Sequence, residues 1–209
     1  MRETVRHAVF IEPEGDLRDL VIRWKERVAS LWPAARYLHH PPHSTVWVGE
    51  LVDGEAAGRE LEKVASKMRG TRVSVKSACV FYDDALAEGG QTCAFGAALT
   101  DGLADFQQVL CQSLRAHRKE MSDDSLAAPL RREPYFHSWR QYGFPFVGPH
   151  WAPHFTVASL PVRRDDPVIG EFLASKPPEA TRFCLSWWRV IGEQHERLAE
   201  LRLAASESS

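Results

Sequence analysis

Read for the period of its apolar positions, the chain alternates between a spacing of two and a spacing of three to four. Residues 7–13, HAVFIEP, form a short strand candidate. The following stretch, EGDLRDLVIRWKERVASLW, puts Leu17, Leu20, Val21, Trp24, Val28 and Leu31 at i, i+3, i+4 and i+7 spacing, which predicts an amphipathic helix. Asp53 is placed to cap a second helix with Ala57, Leu61, Val64 and Met68 on one face. Asp101 is placed to cap a third with Leu103, Phe106, Leu110 and Leu114, and Asp166 followed by Pro167 starts a fourth. Between them lie β-rich runs bounded by Gly, Pro and Asp: HSTVWVGEL, TRVSVKSACVFY, QTCAFGAAL, HFTVASL, RFCLSWWRVI and ERLAELRLA.

The order of these elements says more than their number. Residues 42–46 read PHSTV and residues 153–157 read PHFTV, and each copy is followed by a helix and then a β-rich run. The two halves look like one unit used twice, which predicts two similar lobes of an α/β or α+β domain related by approximate symmetry. One domain over residues 1–209 is expected, interrupted by a long insertion over residues 122–151 before the second motif. That insertion has weak periodicity and four prolines, and connections of such length are usually functional or disordered. The final AASESS is expected to fray.

Composition narrows the class. At 209 residues and 44% hydrophobic, the chain is long enough for one sizeable core or two small lobes that share one. Twenty-six basic side chains nearly cancel 28 acidic ones, and a net charge of -2 gives no global footprint for a long polyanion. A nucleic-acid ligand should therefore be short or locally held. The cysteines, Cys79, Cys93, Cys111 and Cys184, form no C-x-x-C pair and sit in apolar surroundings suited to packed thiols, which favours a reducing cytoplasm. The N-terminal apolar run is too short for a signal segment and no stretch approaches transmembrane length, so a cytoplasmic protein with no membrane partner, and a monomer, is expected.

The repeated motif carries the chemistry. On a strand His43 and Thr45 share one face, as do His154 and Thr156. Two lobes packed with these faces opposed would give one cleft two imidazoles and two hydroxyls. That set suits phosphodiester chemistry without a metal or other cofactor. A neutral histidine accepts a proton from water or a ribose hydroxyl, a protonated one gives a proton to the leaving oxygen, and the threonines donate to non-bridging phosphate oxygens. Chance composition predicts only about 0.1 copies of His-x-Thr-apolar in a chain of this make-up, so two copies point away from coincidence.

A rival reading takes His39, His40 and His43 in HHPPH as a metal cluster, with His150 and His154 as further ligands. Metal sites normally add Cys, Asp or Glu at characteristic spacing, and no such partner stands beside these histidines. His7, His117 and His195 read as surface or packing residues. The pair Trp187 and Trp188 reads as a strand with one buried and one exposed ring.

With both motifs placed, the sequence resembles the 2H phosphoesterase superfamily, in particular its bacterial 2′,5′ RNA ligase-like branch, which includes RNA 2′,3′-cyclic phosphodiesterases. The resemblance runs over most of the chain in element order, and PHFTVASL is the closer of the two motif matches. The first copy has polar Ser44 where an apolar residue is usual. The resemblance implies an α+β fold of two pseudo-symmetric lobes, each an antiparallel sheet flanked by helices, around a central cleft. It implies His43 and His154 as catalytic residues and Thr45 and Thr156 as phosphate-binding ones. It also implies a metal-independent phosphodiesterase acting on a nucleotide or RNA terminus that bears a 2′,3′-cyclic phosphate or a 2′,5′ linkage. Ligation by the reverse reaction, or nucleotide binding with little turnover, are the alternatives within the same fold.

The insertion supplies a second candidate surface. Arg131, Arg132, Tyr135, Trp139, Arg140, Tyr142 and Trp151 mix guanidinium groups that pair with phosphate and rings on which bases stack, which predicts a substrate-binding wall or lid. Simple packing of these aromatics onto the nearest lobe is the competing expectation.

Overall fold

A computed structural model describes residues 5–68, 72–192 and 194–201. The chain runs β1 (Val5–Pro13), α1 (Asp16–Leu31), β2 (Ser44–Gly49), α2 (Gly54–Ala65), β3 (Arg72–Asp84), β4 (Gly90–Ala97) and α3 (Asp101–Leu114), and continues with α4 (Tyr135–Tyr142), β5 (His154–Leu160), α5 (Pro167–Leu173), β6 (Ala180–Ile191) and β7 (Gln194–Leu201). Every strand pairing among them is antiparallel. The strand order is β2-β1-β6-β3-β4-β5, with β7 on β6. This is an α+β fold.

β6 holds the sheet together. Residues 183–191 pair with β1, residues 180–182 with β3, and residues 185–191 with β7. One half of the sheet is therefore β2, β1, β6 and β7, and the other is β3, β4 and β5. The motif strands β2 and β5 stand at opposite ends of the strand order. They nevertheless meet: the His154 amide donates to Ser44 Oγ at 3.1 Å, and the Trp151 indole donates to the Thr45 carbonyl at 2.9 Å. A sheet whose two ends touch must curl strongly, and the curl brings the two motif strands together.

Alternation along β1 divides the apolar residues between the two sides. Val9 and Ile11 enter the main core with Leu17, Val21 and Val28 of α1, Leu61 of α2, and Leu103, Phe106 and Leu110 of α3. Ala8 and Phe10 face the other way and form a small separate cluster with Trp188. Trp187 and Trp188 do point to opposite faces, but both are buried, because the second face is covered as well. Trp188 donates to Ser186 Oγ at 2.6 Å and to Glu12 at 3.1 Å, which satisfies its indole under that cover.

The helix starts follow cap chemistry. Asp53 accepts from the Ala56 amide at 2.9 Å and Asp166 from the Val168 amide at 3.0 Å, as their sequences predict. The third helix differs by one residue. Thr100, extended at φ -86° and ψ 158°, is its cap and Asp101 its first residue. Leu31 is exposed and Met68 lies beyond the end of α2, so both apolar stripes are shorter than the sequence suggests. The insertion is more ordered than its periodicity predicts: it contains α4 and single turns at Asp123–Ser125, Ala128–Leu130 and Gly148–His150. The expected frayed tail, 204–209, and the end of the last β-rich run lie outside the described residues. Among the described residues no helix is long and apolar enough to cross a membrane.

Candidate active site

The two motifs are built alike at the level of single residues. In each, histidine and threonine are half-buried while the residue after the histidine and the closing valine are buried. Each also carries a one-residue bulge at the same place. Phe10 pairs with Thr45 but Val9 with Trp47, so Val46 is the extra residue, and Ala94 pairs with Thr156 but Cys93 with Ala158, so Val157 is. A bulge lifts one residue off the ladder and re-aims the side chains beside it, here the threonine that precedes each valine.

Both histidines are fixed in the same manner. His43 Nδ1 lies 2.7 Å from the Pro41 carbonyl and His154 Nδ1 lies 2.7 Å from the Ala152 carbonyl. A carbonyl only accepts, so Nδ1 carries the proton in each ring. That tautomer leaves Nε2 as the nitrogen that can take or give a proton. The ring planes are held from the side: His43 stacks on Phe10 with centroids 3.8 Å apart, and His154 lies against Phe81 at 4.9 Å.

The electrostatic surroundings differ. Burial lowers the pKa of His43 most, the Pro41 hydrogen bond opposes it, and the neighbouring His40, His195 and Lys25 lower it further, to about 3. His40 is lowered to about 4, again chiefly by burial and then by His195 and Lys25. His154 is also lowered by burial, but its carbonyl hydrogen bond and the Asp84 carboxylate both pull it upward. Asp84 is held in place by the Thr92 hydroxyl at 2.7 Å and the Leu86 amide at 2.9 Å. His43 thus sits beside the Lys25 ammonium and two further imidazoles, and His154 beside a carboxylate.

Several residues outside the motifs converge on them. The rings of His40 and His195 lie 4.4 Å apart, at 6.2 and 6.4 Å from His43. His195 is therefore part of the surroundings of the first motif and not an ordinary packing residue. Among the described residues no group of three His, Cys, Asp or Glu is arranged so that it could hold a metal ion. Lys25 is buried at 8% exposure and donates to the carbonyls of Tyr37 at 2.7 Å, Leu38 at 3.2 Å and Val157 at 2.6 Å. Burial lowers its pKa to about 8, so it is cationic at neutral pH. Gln107, fully buried, donates to the carbonyls of Val46 at 3.2 Å and Phe146 at 2.7 Å and accepts from the Gly148 amide at 2.9 Å.

The insertion residues are placed in different surroundings. Trp139, Tyr142 and Trp151 are buried, where a ring offers no free face for a base. Arg131 pairs with Asp124 at 3.2 Å and Arg140 with Asp123 at 2.6 Å. Arg118, which binds the carbonyls of Trp139 and Arg140, is bridged through its backbone to Leu51. Leu51 is six residues beyond Thr45, roughly 20 Å along an extended chain, so this end of the insertion stands away from the histidines. Tyr135 packs edge-on against Phe146 and His150, and Arg132 is exposed. Of these insertion side chains, Trp151 is the one bonded to a motif residue, through the Thr45 carbonyl.

Lys25 and Gln107 leave a signal that periodicity alone passes over. Lys25 stands four residues after Val21, and Gln107 four after Leu103, so each polar side chain lies in phase with the buried stripe of its helix. Ser44 shows the opposite relation. Its departure from the usual apolar residue is explained by the cross-strand bond to His154, which an apolar side chain cannot make. Phe10, Phe81 and His195 come from separate elements, and nothing local in the sequence marks their approach, whereas His40 stands three residues before His43.

This geometry can be set beside proteins of known structure. LigT of E. coli in its apo form superposes with a TM-score of 0.56 over 97% of this chain and 99% of its own, at 13% identity. LigT in complex with 3′-AMP gives 0.54 at 15% identity, covering 97% and 100% of the two chains. TT0787 of Thermus thermophilus gives 0.53 at 13% identity, covering 95% and 98%. The chain therefore has the LigT-like α+β fold, end to end. No protein-family model matches it, and no curated protein does.

Proposed function

We propose that the chain is a phosphodiesterase that opens 2′,3′-cyclic phosphates, or cleaves related 2′,5′ linkages, at nucleotides or RNA ends. The observation that carries this reading is the pair of imidazoles, each with Nδ1 fixed on a carbonyl two residues back and Nε2 left for proton transfer. Mere binding of a nucleotide needs no such pair. A solved LigT complex of the same fold contains 3′-AMP, a ribose with a phosphate on one of the two oxygens a cyclic phosphate joins.

The contrast in surroundings supports a division of roles between the two histidines. His43, held neutral by burial and the nearby Lys25 ammonium, takes the proton from water through Nε2 as the water oxygen bonds to phosphorus. The bond from phosphorus to one ribose oxygen breaks, and His154, whose proton Asp84 favours, delivers it from Nε2 to that oxygen. Thr45 and Thr156 donate to the non-bridging oxygens as charge builds on them. Phe81, 39% exposed beside His154, offers a ring to the nucleoside. For the insertion, we keep only the exposed Arg132 and the half-buried Tyr135 as contacts to the distal part of an RNA end. The test is turnover of a 2′,3′-cyclic nucleotide: release of a single monophosphate supports the reading, and binding without turnover marks the chain as a nucleotide-binding module.

A further inference from the structure

The two bulges pose a problem that the fold solves twice. A bulged residue leaves its backbone groups off the ladder, and a buried carbonyl without a donor is unfavourable. Val46 and Val157 are both buried. Each carbonyl is met by a buried polar side chain from a helix: Lys25 of α1 reaches Val157 in β5, and Gln107 of α3 reaches Val46 in β2. Each of these side chains has a second grip. Lys25 also holds the carbonyls of Tyr37 and Leu38, in the segment that leads into His43. Gln107 also holds Phe146 and Gly148, in the segment that leads into His154.

We propose that Lys25 and Gln107 are a reciprocal pair of positioning residues, each tying the bulge of one motif strand to the lead-in of the other, so that the two histidines keep a fixed mutual register. Neither side chain is placed to touch substrate, since both are enclosed by carbonyls. The arrangement explains why two polar residues stand on otherwise apolar helix faces. Gly148, at φ +62°, belongs to the same device, because the left-handed backbone there turns its amide towards Gln107. The charge of Lys25 adds a bias that Gln107 lacks. It faces His40 and His43, beside the Arg36 guanidinium and the rings of His195 and His39, while Asp84 faces His154.

The proposal rests on the phosphodiesterase reading for its kinetic arm and on geometry alone for its spectroscopic arm. Lys25→Met and Gln107→Met keep an unbranched side chain and remove the donors. In each folded variant kcat for a 2′,3′-cyclic nucleotide should fall about tenfold or more with KM within about threefold, because misplacement of catalytic groups acts on the reacting geometry. The double variant should lose less than the product of the singles, since either release already frees the register. By NMR, Lys25→Met should shift amide signals at 37–40 and 157–158 together and raise the titration of His40 and His43, whereas Gln107→Met should shift 46–48 and 146–148 together and leave those titrations in place. Folded variants with native kcat, or shifts confined to one segment, would overturn it. Should a variant fail to fold, the native protein decides: the Lys25 ammonium should exchange with solvent far more slowly than that of exposed Lys63, and equal rates would refute the brace. A native protein inert towards every cyclic phosphate would sink the functional reading while leaving these NMR outcomes to judge the brace.

Discussion

The first and second motif strands share almost everything that geometry can share and differ in charge. Burial alternation, the bulge at the closing valine, and a 2.7 Å bond from Nδ1 to a carbonyl two residues back are common to both. Around His43 stand His40, His195 and Lys25, and beside His154 stands Asp84. Backbone symmetry places two equivalent nitrogens, and the side chains that surround them make those nitrogens chemically unequal. A reaction that needs one proton acceptor and one proton donor is served by such inequality.

The largest effect that can break the comparison is loss of either imidazole. His43→Ala and His154→Ala should each lower kcat by about 10² to 10⁴, with thermal unfolding little changed, as measured by steady-state kinetics and calorimetry. Near-native rate in either variant would remove the two-histidine mechanism. Next comes pH. His154 works protonated and its pKa lies below 6.5, so the alkaline limb of kcat/KM should fall at pH values under 6.5. An alkaline limb above about pH 7.5 in the free enzyme, a full unit beyond an ordinary histidine, would reverse the assignment of roles. The same depressed pKa values carry a stability consequence. The unfolded chain binds more protons than the folded one below pH 6.5, because His40, His43 and His154 each take up a proton at lower pH when folded. Unfolding temperature should therefore drop as pH is lowered from about 7 to about 5, and a flat profile would contradict the burial of these rings.

Smaller changes sharpen the picture. Thr45→Val and Thr156→Val should each reduce kcat about tenfold, the scale of one hydrogen bond to a charged group. Ser44→Ala strips the His154 amide of its acceptor in a buried position, and about 1–3 kcal/mol of stability should go with it in chemical denaturation. Arg132→Gln is expected to have the least effect: about a threefold rise in KM for an oligonucleotide end, and none for a mononucleotide.

Much of this architecture is legible in the chain itself. Alternation and caps locate the strands and helices, since Leu17, Val21 and Val28, or Leu103, Phe106 and Leu110, obey a local period that burial enforces. The repeated Pro-His-x-Thr-Val marks the motif strands for the same reason. The curl that joins Ser44 to His154 across the ends of the sheet is not local, and no window of sequence contains it. The gathering of His40 and His195 around His43 depends on β6 and β7 bringing residue 195 beside residue 40. In the insertion, composition points to Trp139 and Tyr142 as ligands, yet aromatic rings gain most by burial and these are buried. Arg131 and Arg140 meet carboxylates within the insertion itself, at Asp124 and Asp123.

The central claim is that two electrostatically unequal imidazoles divide one acid-base reaction between them. It is tested most directly by following hydrolysis of a 2′,3′-cyclic nucleotide by the native protein across pH, with His43 and His154 titrations recorded by NMR in the same samples. Turnover to one monophosphate isomer is expected, with His43 neutral over the whole active range and activity declining as His154 loses its proton. Activity that rises as His154 deprotonates, or no turnover at all while 3′-AMP binds in the cleft, would contradict it.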